Sequence, residues 1–411
     1  MVEFVTGFYL ALMFLALYMI SFFIILTVRN RKKFFSYIEP KREYSITILI
    51  PAYNEQDTIK ETISHVMQLD YPKEKLEVIV INDGSTDKTK EIVKKLLKKY
   101  SNLKLLDKKN SGKADSLNKG VKMSKGELLA VVDSDSFPSP PSLRKLTGYF
   151  NEENMGAVTS FVTVRNKDKN LFAKIQSIEY MILGWNRKLL DFIDAVYVTN
   201  GPLSLYRKKY IVKVGGFDPK SITEDIDITW NMLHHGFKTA MCLDARVSTI
   251  VPHKFKLWFR QRVRWGIGGM QAIQKYKASF LKNGIFGLFI MPFITLSIIL
   301  SIVGFLFSSY LIFKSLFGRI LITGYASSIG ASFLNMQNIN LYPSVMIFYF
   351  IILFFVSSIY YNYILHKTKY DRKITLKRLI SLSFYTIIFL GFYPLIWFAA
   401  IYRFVIKDYG W

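Results

Sequence analysis

Four stretches without a single charged residue, 4–28, 284–313, 342–365 and 379–402, set the strongest limit on how this chain can fold. Each is long enough to cross a bilayer as a helix, which takes roughly 20 apolar residues. The first has the position of a cleaved signal peptide. It is long, however, Glu3 stands where a basic n-region belongs, and Arg29, Arg31, Lys32 and Lys33 follow it. A retained anchor with its C-terminal end in the cytoplasm is therefore expected. The segment HKTKYDRKITLKR between the third and fourth runs is basic and is placed in the cytoplasm. Residues 314–341 hold only Lys314 and Arg319 and are placed outside, with re-entry of 320–341 into the membrane left open. Everything between Arg29 and Asn283 is then cytoplasmic. The expected division is an anchor (1–33), a cytoplasmic domain (44–250), amphipathic interfacial helices (251–283) and a region of three further spans (284–411).

A composition of 51% hydrophobic residues beside a net charge of +25 fits a membrane protein with basic cytoplasmic parts. Nucleic acid is the rival explanation of that charge. No zinc-finger spacing, RNP-like motif or basic-zipper pattern supports it, so no nucleic-acid partner is expected. Cys242 is the only cysteine, which excludes an intrachain disulfide and a multi-cysteine metal site.

From Ser45 onward strands alternate with helices. ITILI (46–50), LEVIVIN (76–82), LKLL (103–106) and ELLAVV (127–132) are short apolar runs. Helical stretches follow from about Asp57, Asp87 and Lys113. This alternation predicts a parallel sheet covered on both faces, with ligands bound at the edge where the strands end. Three carboxylate-bearing turns meet that edge: PAYNE (51–55), DGSTD (83–87) and DSD (133–135). Each has a plain reading alone, since NDGSTD is good turn chemistry and Asp87 can cap a helix. Their convergence favours a site. Asp133 and Asp135 offer hard oxygen ligands to Mg²⁺ or Mn²⁺, whose shell substrate phosphates and water would complete. Lys113 is either a phosphate contact at a helix start or an ordinary surface lysine.

With PAYNE, VINDGSTD, SGKADSLNKG, VVDSD, GGFDP, TEDIDITW and QRVRW in this order, residues 46–269 resemble family 2 glycosyltransferases. Specifically, they resemble the membrane-embedded processive branch of cellulose, chitin, hyaluronan and poly-N-acetylglucosamine synthases. The resemblance implies an α/β, Rossmann-like GT-A domain, a UDP-sugar donor and a plasma-membrane location. It implies that Ala52, Tyr53, Glu55 and Asp83 hold the nucleoside, and that Asp133 and Asp135 serve the diphosphate and its metal. Asp225 would be the catalytic base, with Glu224 beside it, and Gln261, Arg264 and Trp265 would shape the donor and acceptor site. TEDIDITW and QRVRWGIGG resemble the poly-N-acetylglucosamine synthases, whereas GPLSLYRK (201–208) resembles hyaluronan and chitin synthases, which leaves the sugar open.

Asp225 also has a chemical argument, because an acceptor hydroxyl needs a carboxylate within reach to take its proton. The competing reading has Thr223 capping a helix that Glu224 and Asp225 favour through its dipole, with Gly236 ending it. On a helix, Gln261, Arg264 and Trp265 share one face, and Arg260 lies within about 40° of Arg264. Arg262, Lys254 and Lys256 are expected to meet lipid headgroups. Gly266, Gly268 and Gly269 either allow close backbone approach or break the helix. The leading expectation is an inverting enzyme extending a β-linked glycan at the membrane, with export through the spans as a further hypothesis. The alternatives are transfer of one sugar to a lipid acceptor and, more remotely, a non-catalytic membrane scaffold or transporter.

Overall fold

The computed structural model describes residues 2–328, 345–370 and 375–409. After the N-terminal helix α1 (Val2–Asn30), the chain enters β1 (Ile46–Ala52), α2 (Ile59–Met67), β2 (Leu76–Asp83), α3 (Thr89–Leu97), β3 (Leu103–Lys108), α4 (Lys113–Met123) and β4 (Leu128–Val131). Strands β3, β2, β1 and β4 lie side by side in parallel. All seven residues of β1 are buried, as expected of a strand covered on both faces. Ile46, Ile48 and Ile50 pack on one side with Ile59, Ile63 and Val66 of α2. Leu49 packs on the other with Leu117 and Val121 of α4. Period-two alternation in β1 and helical spacing in α2 and α4 thus place the two helices on opposite faces.

The second half is more irregular. It contains β5 (Ser136–Pro138), α5 (Ser142–Thr147), β6 (Met155–Val164), α6 (Leu171–Asp191), β7 (Ser204–Arg207), α7 (Lys208–Lys213), α8 (Glu224–His234) and β8 (Lys238–Thr249). The result is one eight-stranded mixed sheet in the order β3-β2-β1-β4-β7-β6-β8-β5. The sheet is therefore not wholly parallel, because β7 runs antiparallel to both β4 and β6. Helix α9 (Phe255–Lys275) follows, then α10 (Met291–Ser328), α11 (Val345–Lys367), α12 (Leu376–Phe384) and α13 (Tyr393–Val405).

Among the described residues two helical segments are long and apolar enough to cross a membrane, Val5–Asn30 and Phe286–Gly318. These helices account for the first two of the four spans expected from sequence. The third apolar run lies in α11 from residue 345, and its first residues fall outside the described ones. The fourth run is not one helix. A π turn (Tyr385–Phe389) and a 3₁₀ turn (Leu390–Phe392) separate α12 from α13. Pro394 at the start of α13 explains much of this, since it lacks the N–H that would continue the helix from α12. The segment expected outside is also different, because α10 carries Lys314 and Arg319 within the helix as far as Ser328. Residues 329–341 of it lie outside the described residues.

Candidate active site

The turn after β1 is built around Asn54, which takes a left-handed φ of 56° that asparagine tolerates. Its backbone N–H donates to Ser85 Oγ at 3.0 Å, and its Oδ1 accepts from the Thr86 N–H at 2.8 Å. Asp87 accepts from the N–H groups of both Thr89 and Gln56, so it satisfies the first N–H of α3 and also ties down the PAYNE turn. These bonds join the first two carboxylate turns into one rim. Asp83, at the end of β2, is buried against Lys108 and accepts the N–H groups of Ser111 (3.0 Å) and Gly112 (2.9 Å). It thereby fixes the loop that delivers Lys113. Gly112 sits at φ +92°, a conformation that a side chain would strain, immediately before α4.

Lys113 is not an ordinary surface lysine. Its Nζ lies 2.7 Å from Asp133 Oδ1 and 2.6 Å from Glu224 Oε1, joining the DSD turn to the start of α8. Against the downward push of burial, Asp133 and Glu224 hold the ammonium well above its usual range. Glu224 in turn is held below the usual carboxylate range, since Lys113 outweighs the opposing effect of burial. The Asp133 carboxylate fits closely over Gly201, where an added Cβ would come within 2.5 Å of Oδ2.

Asp225 stands in the first turn of α8 and faces the opposite situation. Burial first, then the charges of Glu224 and Asp133, push its carboxyl up to about 6, with Lys113 opposing. Among the described residues its Oδ1 accepts only from the neighbouring Ile226 N–H, at 2.9 Å. The Thr223 cap of the competing reading is absent: its side chain makes no capping bond, and its Oγ1 is buried without a partner among the described residues. The reason is packing. Thr223 is pressed against Gly268 of α9, where a Cβ would lie 1.9 Å from that oxygen. Gly236, at φ +77°, follows the last residues of α8, and the Phe237 N–H reaches back to Met232 O at 2.9 Å.

The three residues Gln261, Arg264 and Trp265 do share one face of α9, and that face lines the same cleft. Lys254 and Lys256 are exposed, beside Phe255 and Leu257, at the free start of α9. Arg260 is exposed rather than turned inward with Arg264. Arg262 corrects the sequence reading: it does not reach headgroups but is 2% exposed, paired with Glu179 of α6 at 2.6 Å. Tyr393 of α13 donates to the same glutamate. Arg262 also donates to Gln261 Oε1 at 2.7 Å and lies 4.0 Å over the Trp265 ring. A buried charge in that position requires its partner, so Glu179 dictates the direction. The glycines of α9 do not break it. Gly266 faces Ala400 and Trp397 and Gly268 faces Thr223, whereas Gly269 faces open space.

All twelve residues singled out from the sequence, Ala52, Tyr53, Glu55, Asp83, Lys113, Asp133, Asp135, Glu224, Asp225, Gln261, Arg264 and Trp265, line one cleft of about 880 Å³. The sequence profile described as "Glycosyltransferase like family 2" matches residues 42–268, more than half of the chain. The chain belongs to glycosyltransferase family 2. Within this family it is 34% identical over 251 residues to poly-beta-1,6-N-acetyl-D-glucosamine synthase of Staphylococcus aureus, covering 60% of each chain. It is 33% identical over 246 residues to the probable glycosyltransferase YdaM of Bacillus subtilis, covering 58% of each. The matched part thus spans about 60% of the length of these relatives. Among solved structures, the mannosyltransferase PcManGT from Pyrobaculum calidifontis, in complex with GDP-Man and Mn²⁺, has a TM-score of 0.66 at 17% identity. That likeness covers 99% of this chain and 100% of the other and shows a shared fold. The Rossmann-like GT-A architecture expected from sequence is therefore the architecture of this family 2 chain.

For a family 2 domain a divalent cation at the DSD turn is the implied partner, and the residues present fit one. Burial, then the charges of Asp133 and Glu55, push the Asp135 carboxyl up to about 6. Burial likewise raises Glu55. Crowded hard oxygens of this kind are relieved by a 2+ ion such as Mg²⁺ or Mn²⁺. Among the described residues no group of three or more His, Cys, Asp or Glu side chains forms a complete cage. Such an ion would take Asp133 and Asp135 and complete its shell from diphosphate and water.

Sequence reasoning missed one wall of the cleft. Tyr180, Leu183, Gly184 and Arg187 line it from α6, and Asn200 and Pro202 from the loop before β7. The four α6 residues recur at i, i+3, i+4 and i+7, the spacing of a single helical face. That periodicity was available in YMILGWNR, but no motif marked the face as functional.

Proposed function

We propose that this chain is an inverting glycosyltransferase that moves a sugar from a UDP-sugar onto an acceptor hydroxyl at a membrane surface. UDP-N-acetylglucosamine is the first candidate donor and a growing β-linked polysaccharide the first candidate acceptor, by likeness to the staphylococcal synthase. The observation that carries this reading is the placement of Asp225. It is a cleft carboxylate with no cation paired to it among the described residues, beside a Glu224 neutralised by Lys113. With a carboxyl near 6, Asp225 is ionised at neutral pH and still basic enough to take a hydroxyl proton. Attack from its side, opposite the leaving diphosphate, inverts the anomeric centre.

The remaining residues take roles around that step. Ala52, Tyr53 and Glu55 border the nucleoside, with Asp83 fixing the adjoining loop. Mg²⁺ or Mn²⁺ held by Asp133 and Asp135 would neutralise charge on the diphosphate. Arg264 offers the diphosphate a planar pair of donors. Arg262 covers one face of Trp265, leaving the other for a sugar ring. The helices Val5–Asn30 and Phe286–Gly318 and the exposed basic start of α9 support a plasma-membrane setting with lipid contacts. In that setting the catalytic domain faces the cytoplasm. Processive extension, and export of the product, belong to the same reading.

The test uses the full chain in lipid nanodiscs with Mg²⁺ or Mn²⁺ and a panel of radiolabelled UDP-sugars together with GDP-mannose. Nucleotide release and product size are followed. A long, glycosidase-sensitive polymer from one UDP-sugar is the expected result. A lipid bearing a single sugar would move the function to glycolipid synthesis, and no release from any donor would remove the enzymatic reading.

A further inference from the structure

Arg262 lies outside the cleft, yet it touches two residues that line it, Gln261 and Trp265. Its guanidinium is held from behind by Glu179 of α6, which is 1% exposed and forms no part of the cleft wall. Arg262 Nε donates to Glu179 Oε1 at 3.3 Å and Nη2 donates to Oε2 at 2.6 Å. A two-point contact of this kind fixes the plane of the guanidinium as well as its position. Tyr393, the first residue of α13, donates to Oε1 and holds the carboxylate in turn. The ion pair thus ties α6 and α9 to the C-terminal apolar region.

The remaining edge of the guanidinium serves the cleft. Its Nη1 donates to Gln261 Oε1 at 2.7 Å. That bond settles the orientation of the amide, because turning it over would set N–H groups against the guanidinium. Nε2 is therefore the end that Gln261 offers to the cleft. It is open to solvent, and among the described residues no acceptor takes it. The guanidinium carbon also lies 4.0 Å over the Trp265 ring and backs it. One buried cation thus sets both a hydrogen-bond donor and an aromatic face, the pair of features that a sugar ring meets.

We infer that Glu179 is a positioning residue for sugar binding: through Arg262 it orients the Gln261 amide and braces the Trp265 ring. The inference rests on the transferase reading above and holds whether the ring in question belongs to donor or acceptor. Packing alone does not call for a charge here. Apolar side chains of similar volume fill such a space as well as a buried ion pair does, or better. What they cannot do is aim an N–H at the Gln261 oxygen. Stability and positioning therefore separate, and variants can be chosen that move one without the other.

The experiment follows UDP release by the full chain in nanodiscs with Mn²⁺. UDP-N-acetylglucosamine is the donor and a β-linked N-acetylglucosamine oligosaccharide the acceptor. Glu179→Gln strands the Arg262 charge and should melt lower than the unaltered chain. It should also raise the KM of at least one sugar substrate about tenfold or more, with UDP affinity changed less than about threefold. A rise for the donor puts the transferred sugar on Trp265, and a rise for the oligosaccharide puts the acceptor there. The double variant Glu179→Gln with Arg262→Met removes the stranded charge and still leaves Tyr393 an amide oxygen. It should melt close to the unaltered chain yet keep the raised KM, since neither Gln261 nor Trp265 regains its support. Recovery of KM together with the melting temperature would overturn the inference and leave Glu179 with a purely structural role. Unchanged KM values in both variants, or a parallel loss of UDP affinity, would overturn it too. Absence of UDP release by the unaltered chain would instead remove the transferase reading, and this inference with it.

Discussion

At the scale of single residues, the cleft sorts its carboxylates by their neighbours. Glu224 has Lys113 at 2.6 Å and stays ionised, whereas Asp225 and Asp135 have carboxyls near 6. Two consequences differ in sign. Turnover requires Asp225 ionised, so kcat/KM should rise with pH and level off above about 6; a flat profile from pH 5 to 8 would count against it. Stability runs the other way. The folded state holds its proton on Asp135 more tightly than the unfolded chain, whose carboxyl lies near 3.9. That stabilisation is complete below the unfolded value and is lost as pH rises through about 6. Metal-free Asp135→Asn should therefore melt higher than the unaltered chain at pH 7.5, by a few degrees, and not at pH 4. Thermal melts at the two pH values check this, and Mn²⁺ should narrow the difference by stabilising only the unaltered chain.

At the scale of elements, the packing of α9 against α8 and α13 decides how the site is held. Gly268→Ala would drive a Cβ into Thr223, one residue before Glu224 and two before Asp225. Turnover should fall at least about tenfold, with partial recovery in the double variant carrying Thr223→Ala, a coupling that a double-mutant cycle measures. On the other side, Glu179→Gln strands the buried Arg262 charge and should cost about 3–5 kcal/mol. Tyr393→Phe keeps the pair and should cost about 1–3 kcal/mol. Chemical denaturation distinguishes the two. The regular parts of these elements were legible in the sequence, because strand alternation and the spacing of Gln261, Arg264 and Trp265 are local patterns. The direction of Arg262 was not. It depends on Glu179, 83 residues earlier, and on Tyr393 in a run that reads as a membrane span. Thr223 likewise has the composition of a cap, and only the proximity of Gly268 denies it that bond.

At the scale of the whole molecule, a mixed sheet sets three carboxylate turns on one rim, and α6, α8 and α9 close the cleft above them. The rim was readable because each turn follows a recognisable strand. The α6 wall was not, since its cleft-facing residues look like any amphipathic stripe. The membrane region was legible as apolar length but not as geometry, where Pro394 and the turns before it break one run. If α1 and the segment 286–318 span the bilayer, the chain should remain in the membrane fraction after alkaline carbonate and leave it only in detergent. Release by carbonate alone would restrict it to the surface. The most direct measurement is UDP release by Asp225→Asn in nanodiscs, with UDP affinity measured on the same sample. The expected result is UDP binding within threefold of the unaltered chain and turnover reduced by roughly 10²–10⁴, the usual contribution of a general base. Turnover within threefold of the unaltered chain would contradict the assignment of Asp225 and the mechanism built on it.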